Sequence, residues 1–337
     1  MKTLRLALLG FGNAGRAFAH LLLNKHSEIE QTYGVDVRVT AIATGRHGSA
    51  VNAEGIDLTR ALAQAEAGHL GGEQSAMDIV ANAEYDALVE MTPLNIFTGQ
   101  PAIDHIRGAF ARGKHVITAN KGPIAWAYRT LRDEAKAAGV GFFYETTVMD
   151  GTPVFNLAEY TLKMAKVTEV SGILNTTTNY ILEELARGVA YNDIITEGRR
   201  LGFIEADASM DIDGYDAAAK ITALLNVLMD ADMTPDKVDR QGIGHITAKE
   251  VTEAAGRGKV IKLLCRGWRE EGSVRASVQP VEVERGDLLS AIDSTSSVVS
   301  ITTDLMGKLS IVEHDPLIEQ TAYGIFGDTL RVVELVR

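Results

Sequence analysis

The 337-residue chain is long enough for two domains, and with 46% hydrophobic and 23% charged residues its composition excludes the disordered and fibrous classes. Its formal net charge of -12 at pH 7 argues against a nucleic-acid-binding surface, because neutralising phosphates requires clustered Lys and Arg. Cys265 is its single cysteine, which excludes an internal disulfide framework and a cysteine-based zinc site and fits a cytoplasmic protein.

The N-terminal residues predict a strand, a tight turn and a helix. Residues 4–10 (LRLALLG) form a buried-strand run, and residues 16–25 (RAFAHLLLNK) carry helical spacing. Between them lies a GxGxxG motif, whose residues are Gly10, Phe11, Gly12, Asn13, Ala14 and Gly15. Its glycines permit the turn, the approach of a pyrophosphate and close helix packing, and the helix N-terminus attracts the phosphates. This context predicts a dinucleotide-binding loop rather than a mere tight turn.

The apolar runs predict neither a membrane span nor a signal peptide. No run approaches the roughly 18 residues that a spanning helix needs. The N-terminal run is short and ends in glycines without a cleavage-like site. We therefore expect no membrane partner and no secretion.

Strand and helix patterns alternate through the first half of the chain. The predicted strands cover residues 37–44, 86–92, 115–120 and 140–147, and the predicted helices cover residues 101–113 and 126–139. Such units in series indicate a parallel sheet with ligands at the carboxyl ends of its strands. The predicted fold class is therefore α/β, with a Rossmann-type doubly wound parallel sheet. Residues 51–76 carry no pattern that assigns them to an element.

The end of the second strand favours NADP over NAD. An acidic residue at this place binds the ribose 2′-hydroxyl of NAD, whereas an arginine accommodates the 2′-phosphate of NADP. The chain has Thr44, Gly45, Arg46 and His47 here, with no acid. Arg46 is the predicted phosphate ligand, and the alternative is a solvated loop arginine.

The second half predicts an α+β substrate domain. Residues 166–175 have the pattern of a strand, and residues 176–188 and 221–230 have that of helices. Residues 297–306 and 329–336 are predicted as strands or short strand–helix units. We expect a dinucleotide-binding domain at residues 1–147, on which residues 305–337 pack back, and a substrate-binding and catalytic domain at residues 148–304.

Carboxylates are concentrated in residues 205–220 (EADASMDIDGYDAAAK), namely Glu205, Asp207, Asp211, Asp213 and Asp216. Asp216 and Lys220 are four residues apart, so they lie on one face of the predicted helix. There a carboxylate can hold the lysine as an ammonium group that donates a hydrogen bond, and then a proton, to a carbonyl oxygen. The alternative is an ordinary i,i+4 helix pair, which the spacing alone favours. The order of the acids does not match a calcium loop.

Five short motifs are spread along the chain between residues 10 and 220. They are residues 10–15 (GFGNAG), 118–121 (TANK), 145–153 (ETTVMDGTP), 172–182 (GILNTTTNYIL) and 201–220. In these the chain resembles the short, monofunctional homoserine dehydrogenases, which lack a C-terminal regulatory domain. The resemblance implies NAD(P)-dependent interconversion of L-homoserine and L-aspartate 4-semialdehyde, in amino-acid biosynthesis. It also implies a homodimer formed through the second domain.

The resemblance also implies roles for individual residues. Lys220 matches the proton donor, with Asp216 as its catalytic partner. Lys121 matches a second active-site lysine that is close to both the cofactor and the substrate. Glu205 matches the ligand of the substrate amine, and Asp211 lies near it in sequence. Thr92 matches a cofactor contact at the rim of the first domain, and Asn120, which lines the same rim, is expected to bind the cofactor as well. A sodium ion is implied by residues that match its ligands, the Glu145 side chain and the carbonyls of Val148, Asp150 and Thr152.

Two departures from the family pattern keep other functions open. Thr176 replaces a glycine near the substrate, and residues 312–319 replace a glycine-rich segment that covers the cofactor in relatives. The alternatives are a paralogous dehydrogenase for another small amino or hydroxy compound and a non-catalytic nucleotide-binding relative. Retention of the acids and lysines argues against the second, because a sensor needs no proton donor.

Overall fold

The structure, a computed structural model, describes residues 1–201, Ile204 and residues 207–337. It divides into two compact units, which are Met1–Phe155 with Leu317–Arg337, and Asn156–Pro316. The domain boundaries expected from the sequence were 147/148 and 304/305. Residues 148–155 lie in the first unit rather than the second, and residues 305–316 lie in the second rather than the first. The second difference concerns the C-terminal boundary. The reason is local, since residues 307–313 form a hairpin with the strand that precedes them.

The first described elements are β1 (Lys2–Leu9), α1 (Asn13–Tyr33), β2 (Val35–Ala43), β3 (Ser49–Val51), α2 (Leu58–Glu66), α3 (Ala76–Asn82), β4 (Ala87–Glu90), α4 (Ala102–Ala111), β5 (His115–Thr118), α5 (Lys121–Ala138) and β6 (Phe142–Phe143). The next are α6 (Val154–Thr161), β7 (Val167–Ile173), α7 (Thr176–Ala186), α8 (Tyr191–Leu201), α9 (Ser209–Ile212), α10 (Tyr215–Met229), β8 (Asp239–Arg240), α11 (Ala248–Gly256), β9 (Lys259–Glu270), β10 (Ser273–Glu284), β11 (Ser297–Thr303), β12 (Gly307–Glu313) and α12 (Ile318–Val336).

The first unit contains a sheet of order β3-β2-β1-β4-β5-β6, parallel except for the edge strand β3. Successive side chains of β1 point to opposite faces of this sheet, so they contribute to two separate parts of the hydrophobic core. Leu4, Leu6 and Leu8 join one hydrophobic cluster with residues of α1 and α12, and Ala7 and Leu9 join the other with residues of α4 and α5. The sheet with helices on both faces confirms the predicted Rossmann-type α/β class.

The second unit contains a sheet of order β12-β11-β7-β9-β10-β8, antiparallel except where β10 meets β8. Its long hairpin pairs β9 with β10 along their whole length. Helix α10 packs on this sheet and is almost fully apolar on the buried side. This α+β arrangement agrees with the predicted class of the second domain.

The prediction of a strand or short strand–helix unit at residues 329–336 was wrong, because these residues form the end of α12. Thr329, Val332 and Val333 favour a strand locally, since β-branched residues have high strand propensity. In α12, however, they continue a buried stripe with Ala322 and Ile325 at spacings of three and four. Packing of this stripe overrides the local preference.

No helix in the described part of the chain is long and apolar enough to cross a membrane.

Candidate active site

The glycine-rich loop of the first unit joins the end of β1 to the start of α1. Gly10 has a φ of 95°, a left-handed conformation, and a Cβ there would collide with the Met91 carbonyl oxygen. A Cβ on Gly15 would lie 2.8 Å from the Gly10 carbonyl oxygen. A Cβ on Gly12, in contrast, would meet no described atom within 4 Å. The first and third glycines therefore allow close packing, and the second leaves open space in front of the N-terminus of α1.

A cleft of about 430 Å³ adjoins this loop. Its lining includes Arg16 from α1 and Thr44, Gly45, Arg46 and His47 from the end of β2. The Thr44 hydroxyl fixes the loop, because it accepts the His47 backbone N–H at 2.7 Å and donates to the Gly48 carbonyl at 3.0 Å. Two guanidinium groups thus border one cleft. Sequence reasoning found Arg46 and missed Arg16, which lies inside the motif helix.

A buried carboxylate, Glu90, organises the rim at the ends of β4 and β5. Its Oε1 accepts hydrogen bonds from the Thr92 backbone N–H at 3.1 Å and from the Thr92 hydroxyl. Its Oε2 accepts from the Thr118 hydroxyl at 3.3 Å. Glu90 was not predicted, although an acid inside the otherwise apolar run of residues 87–91 is a signal for a buried polar network.

Asn120 joins the two rim loops of the first unit. Its Nδ2 donates to the Thr92 carbonyl at 3.1 Å, and its Oδ1 caps α5 by accepting the Gly122 N–H at 3.0 Å. Lys121 follows as the first residue of α5 and is half-buried. The structure therefore brings Thr92, Asn120 and Lys121 together at one edge of the sheet, and Gly10 contacts the same edge at Met91.

In the second unit, the N-terminal part of α10 presents Asp216 and Lys220 side by side. The Lys220 Nζ donates to the Leu174 carbonyl at 2.7 Å and lies 3.5 Å from Asp216 Oδ2. The two side chains are 18% and 15% exposed, so both are largely withdrawn from water. An ordinary surface pair would be far more exposed, as the pair of Lys249 and Glu253 is.

Asn175 connects three elements of this cluster. Its Nδ2 donates to Asp211 Oδ1 at 2.6 Å and to Asp216 Oδ2 at 3.0 Å, while its Oδ1 caps α7 by accepting the Thr178 N–H at 2.8 Å. Sequence reasoning missed Asn175 and the Leu174 carbonyl. The available signal was an Asn directly before a helix that starts with three threonines, which indicates a cap but not its second role.

The acids of residues 205–220 occupy different environments. Burial, followed by the neighbouring Asp216 carboxylate, raises the pKa of the Asp211 carboxyl above its ordinary value. Asp207 is exposed, and a hydrogen bond from the Ser209 backbone lowers the pKa of its carboxyl. Glu205, the predicted ligand of the substrate amine, lies outside the described residues.

The residues predicted to bind sodium form a buried turn in the first unit. The Glu145 backbone N–H donates to Asp328 Oδ2 at 2.9 Å, and its carboxylate accepts the Phe155 N–H at 2.7 Å. Asp150 has a φ of 40° and accepts a hydrogen bond from the Thr321 hydroxyl of α12. A buried carboxylate beside the carbonyls of a tight turn is a donor set that suits a hard cation.

Two family models match the chain, one described as homoserine dehydrogenase over residues 153–330 and one as its NAD binding domain over residues 10–145. A homoserine dehydrogenase of Methanocaldococcus jannaschii is 35% identical over 333 residues, which are 96% of this chain and 97% of that protein. An NAD(+)-dependent homoserine dehydrogenase of Pseudomonas canavaninivorans is 32% identical over 342 residues, covering 98% and 97% of the two chains.

Solved structures agree with these sequence matches. A homoserine dehydrogenase from Thiobacillus denitrificans superposes with a TM-score of 0.86 at 29% identity, over 99% of this chain and 74% of that one. A protein from Archaeoglobus fulgidus, whose homoserine dehydrogenase name is provisional, gives a TM-score of 0.88 at 32% identity, over 98% and 99%.

Proposed function

Because the chain belongs to the homoserine dehydrogenase family and is an NAD(P)-dependent oxidoreductase, we propose that Lys220 is the proton donor in its interconversion of L-homoserine and L-aspartate 4-semialdehyde. The observation that carries this proposal is the placement of its Nζ between the Leu174 carbonyl and Asp216 Oδ2. These two acceptors hold the ammonium group in a fixed position within the cluster.

In the direction of reduction, the substrate carries an aldehyde that becomes an alcohol. A reduced nicotinamide cofactor held by the first unit would supply the hydride for this reaction. Lys220 hydrogen-bonds to the carbonyl oxygen, which stabilises the negative charge that develops there, and then transfers its proton to that oxygen. Asp216 keeps the lysine in position, and Asn175 in turn orients Asp216. In the opposite direction, the neutral lysine takes the hydroxyl proton of homoserine.

The carboxylates around the pair suit the ammonium group of an amino-acid substrate. Asp211 and Asp216 both accept hydrogen bonds from the Asn175 amide. We propose that Asp211 binds the substrate amine together with Glu205. Lys121, at the first turn of α5, is proposed as the second active-site lysine. Charged hydrogen bonds of this kind are worth about 1.5–3 kcal/mol each.

We expect Asp211→Asn to stabilise the protein at neutral pH and to raise KM for homoserine. Because the pKa of the Asp211 carboxyl is raised, the folded chain binds the carboxyl proton more tightly than the unfolded chain does. The free energy of unfolding therefore falls as the pH rises from the ordinary pKa of an aspartate through the raised pKa of Asp211. The melting temperature of the variant should exceed that of wild type at pH 7, and the gain should shrink near pH 4, about the ordinary pKa of an aspartate. Asp207→Asn is the control, since the lowered pKa of that carboxyl gives the opposite sign. An equal gain at both pH values would contradict the prediction.

For the cofactor, we propose binding of the pyrophosphate in front of Gly12 and a preference for NADP over NAD. The loop fits a dinucleotide, because the space at Gly12 lies at the N-terminus of α1. Arg16 and Arg46 border the cleft where an adenosine 2′-phosphate would lie. The proposed cofactor-binding residues also include the rest of the loop, namely Phe11, Asn13, Ala14 and Gly15. At the rim of the sheet they include Thr92 and Asn120.

Arg46→Ala should raise KM for NADPH by about 10–100-fold and leave KM for NADH within a few-fold of wild type. The expected difference arises because the extra phosphate of NADPH loses a charge-assisted hydrogen bond that NADH never makes. Steady-state kinetics with both cofactors measures it, with Arg60→Ala as an exposed arginine control. Equal changes for both cofactors would refute the assignment.

We propose that sodium binds at the turn through the Glu145 carboxylate and the carbonyls of Val148, Asp150 and Thr152. The predicted consequence is a higher melting temperature and rate in sodium chloride than in potassium chloride at equal ionic strength, because the smaller ion suits a tight carbonyl turn. Differential scanning fluorimetry and initial rates measure both. Identical values in the two salts would count against the site.

The test of the function as a whole is a comparison of substrates. Purified protein is assayed with L-homoserine and with other amino alcohols, such as L-serine and L-threonine, under NADP and then NAD. The proposal predicts that kcat/KM is highest for L-homoserine. A much higher value for another amino alcohol would support the paralogous dehydrogenase instead. We further propose that the enzyme is a cytoplasmic homodimer, as the family resemblance implies.

A further inference from the structure

We propose that His26, Glu30 and Asp36 form a binding site for a divalent transition-metal ion such as Zn²⁺, on the first unit and separate from the residues assigned above. The ligand atoms of the three side chains all lie within 4.8 Å of one another. One nitrogen and two carboxylate oxygens are a ligand set that zinc accepts in proteins.

The local fold brings these residues together. His26 and Glu30 are one turn apart on α1, so their side chains share a face of that helix. The helix ends at Gly34, whose φ of 70° reverses the chain, and β2 then places Asp36 beside the last turns of α1. A helix pair with the spacing i,i+4 and a third ligand from an adjoining strand make a chelating arrangement.

The distances permit metal coordination with small side-chain rotations. His26 Nε2 lies 3.2 Å from Asp36 Oδ1, and His26 Nδ1 lies 3.7 Å from Glu30 Oε2. Ligand atoms around a tetrahedral zinc ion are about 3.3 Å apart, given metal–ligand bonds of roughly 2.0 Å. The ion binds one ring nitrogen only, so Glu30 or the ring must turn. Both His26 and Glu30 have partly exposed side chains, which leaves them this freedom.

The third ligand is already fixed. Asp36 is 5% exposed, and its Oδ2 accepts a hydrogen bond from Arg38 Nε at 2.6 Å. This leaves Oδ1 directed at His26 and gives the carboxylate the outer-shell partner that metal ligands usually have.

The surroundings favour a cation and leave room for water ligands. The three residues line a surface cleft of about 550 Å³ that is also lined by Glu54 and Asp57. Arg38 is the one guanidinium among these lining residues, against four carboxylates. Arg38 pairs with Asp36, so the other three carboxylates leave an excess of negative charge in the cleft that a divalent ion would offset.

The test is isothermal titration of Zn²⁺ into the full chain, comparing wild type with His26→Ala and Glu30→Gln. The proposal predicts that each variant binds the ion at this site about 10–100-fold more weakly, and that Zn²⁺ raises the melting temperature of wild type more than that of either variant. His20→Ala, which removes an exposed histidine from the same helix, should behave as wild type. Both substitutions alter partly exposed side chains, so folding is expected to persist.

Two outcomes would overturn the site. One is equal Zn²⁺ affinity in wild type, His26→Ala and Glu30→Gln. The other is displacement of Zn²⁺ by an equal concentration of Mg²⁺, because a site with a histidine ligand should discriminate against that hard ion.

Discussion

Lys220→Ala is expected to lower kcat by about 10²–10⁴-fold, the usual contribution of a positioned general acid, while affinity for NADPH stays near that of wild type. The loss should fall on kcat because the proton transfer is made in the transition state. The cofactor phosphates are proposed to bind at the glycine-rich loop of the first unit, so the substitution leaves their contacts unchanged. Steady-state kinetics and fluorescence titration of NADPH measure the two quantities.

Two further variants serve as controls for the effect of Lys220→Ala. Lys249→Ala removes the lysine of an exposed i,i+4 pair on α11 and should leave kcat unchanged. Lys220→Arg keeps the positive charge but replaces the ammonium group with a guanidinium that does not deprotonate in proteins, so it should remain slow. If Lys220→Ala turns over within a few-fold of wild type, or if Lys220→Arg is fully active, proton donation by Lys220 is refuted.

Asn175→Asp should reduce kcat/KM for homoserine by about 10–150-fold and should also lower the melting temperature of the protein. An aspartate still caps α7, since its oxygen accepts the Thr178 N–H as the asparagine does. It cannot donate to Asp211 and Asp216, and the loss of hydrogen bonds to charged groups corresponds to about 1.5–3 kcal/mol. It also adds a third carboxylate, which repels the other two. Kinetics and thermal melting of the same preparation separate activity from stability.

The control for Asn175→Asp is Thr247→Ala, which removes the N-cap of α11 in the same unit. It measures the effect of losing a helix cap alone. That variant should cost about 1 kcal/mol of stability and leave kcat/KM near wild type. An Asn175→Asp enzyme with wild-type kinetics would show that the two hydrogen bonds of the amide do not position the acids for catalysis.

The sequence predicted β1, the glycine turn and the end of α5 because the signals of these elements are local. The strand predicted at residues 140–147 was wrong beyond β6, since residues 145–147 form a 3₁₀ helix. The apolar run of β1, the glycines of the turn and the glycine that ends α5 each act within a few residues. The face shared by Asp216 and Lys220 was likewise predictable, since helical periodicity alone sets it.

Contacts between distant residues were not predictable in the same way. Asn175 reaches Asp211 and Asp216 across 36 and 41 residues, and no local pattern specifies that encounter. The hairpin of β9 and β10 was not assigned either. Its two-residue turn consists of Glu271 and Gly272, both with positive φ, and glutamate at the first position lacks the usual Asn-Gly or Asp-Gly signal.

The most direct test of Lys220 as proton donor is the pH dependence of kcat/KM for aldehyde reduction in wild type and Lys220→Ala. A reaction that requires a protonated acid slows at alkaline pH as that acid loses its proton. The account predicts that wild type shows this alkaline decline and that the slow residual reduction by Lys220→Ala lacks it. The same alkaline decline in both enzymes would assign the essential acid to another group and contradict the account.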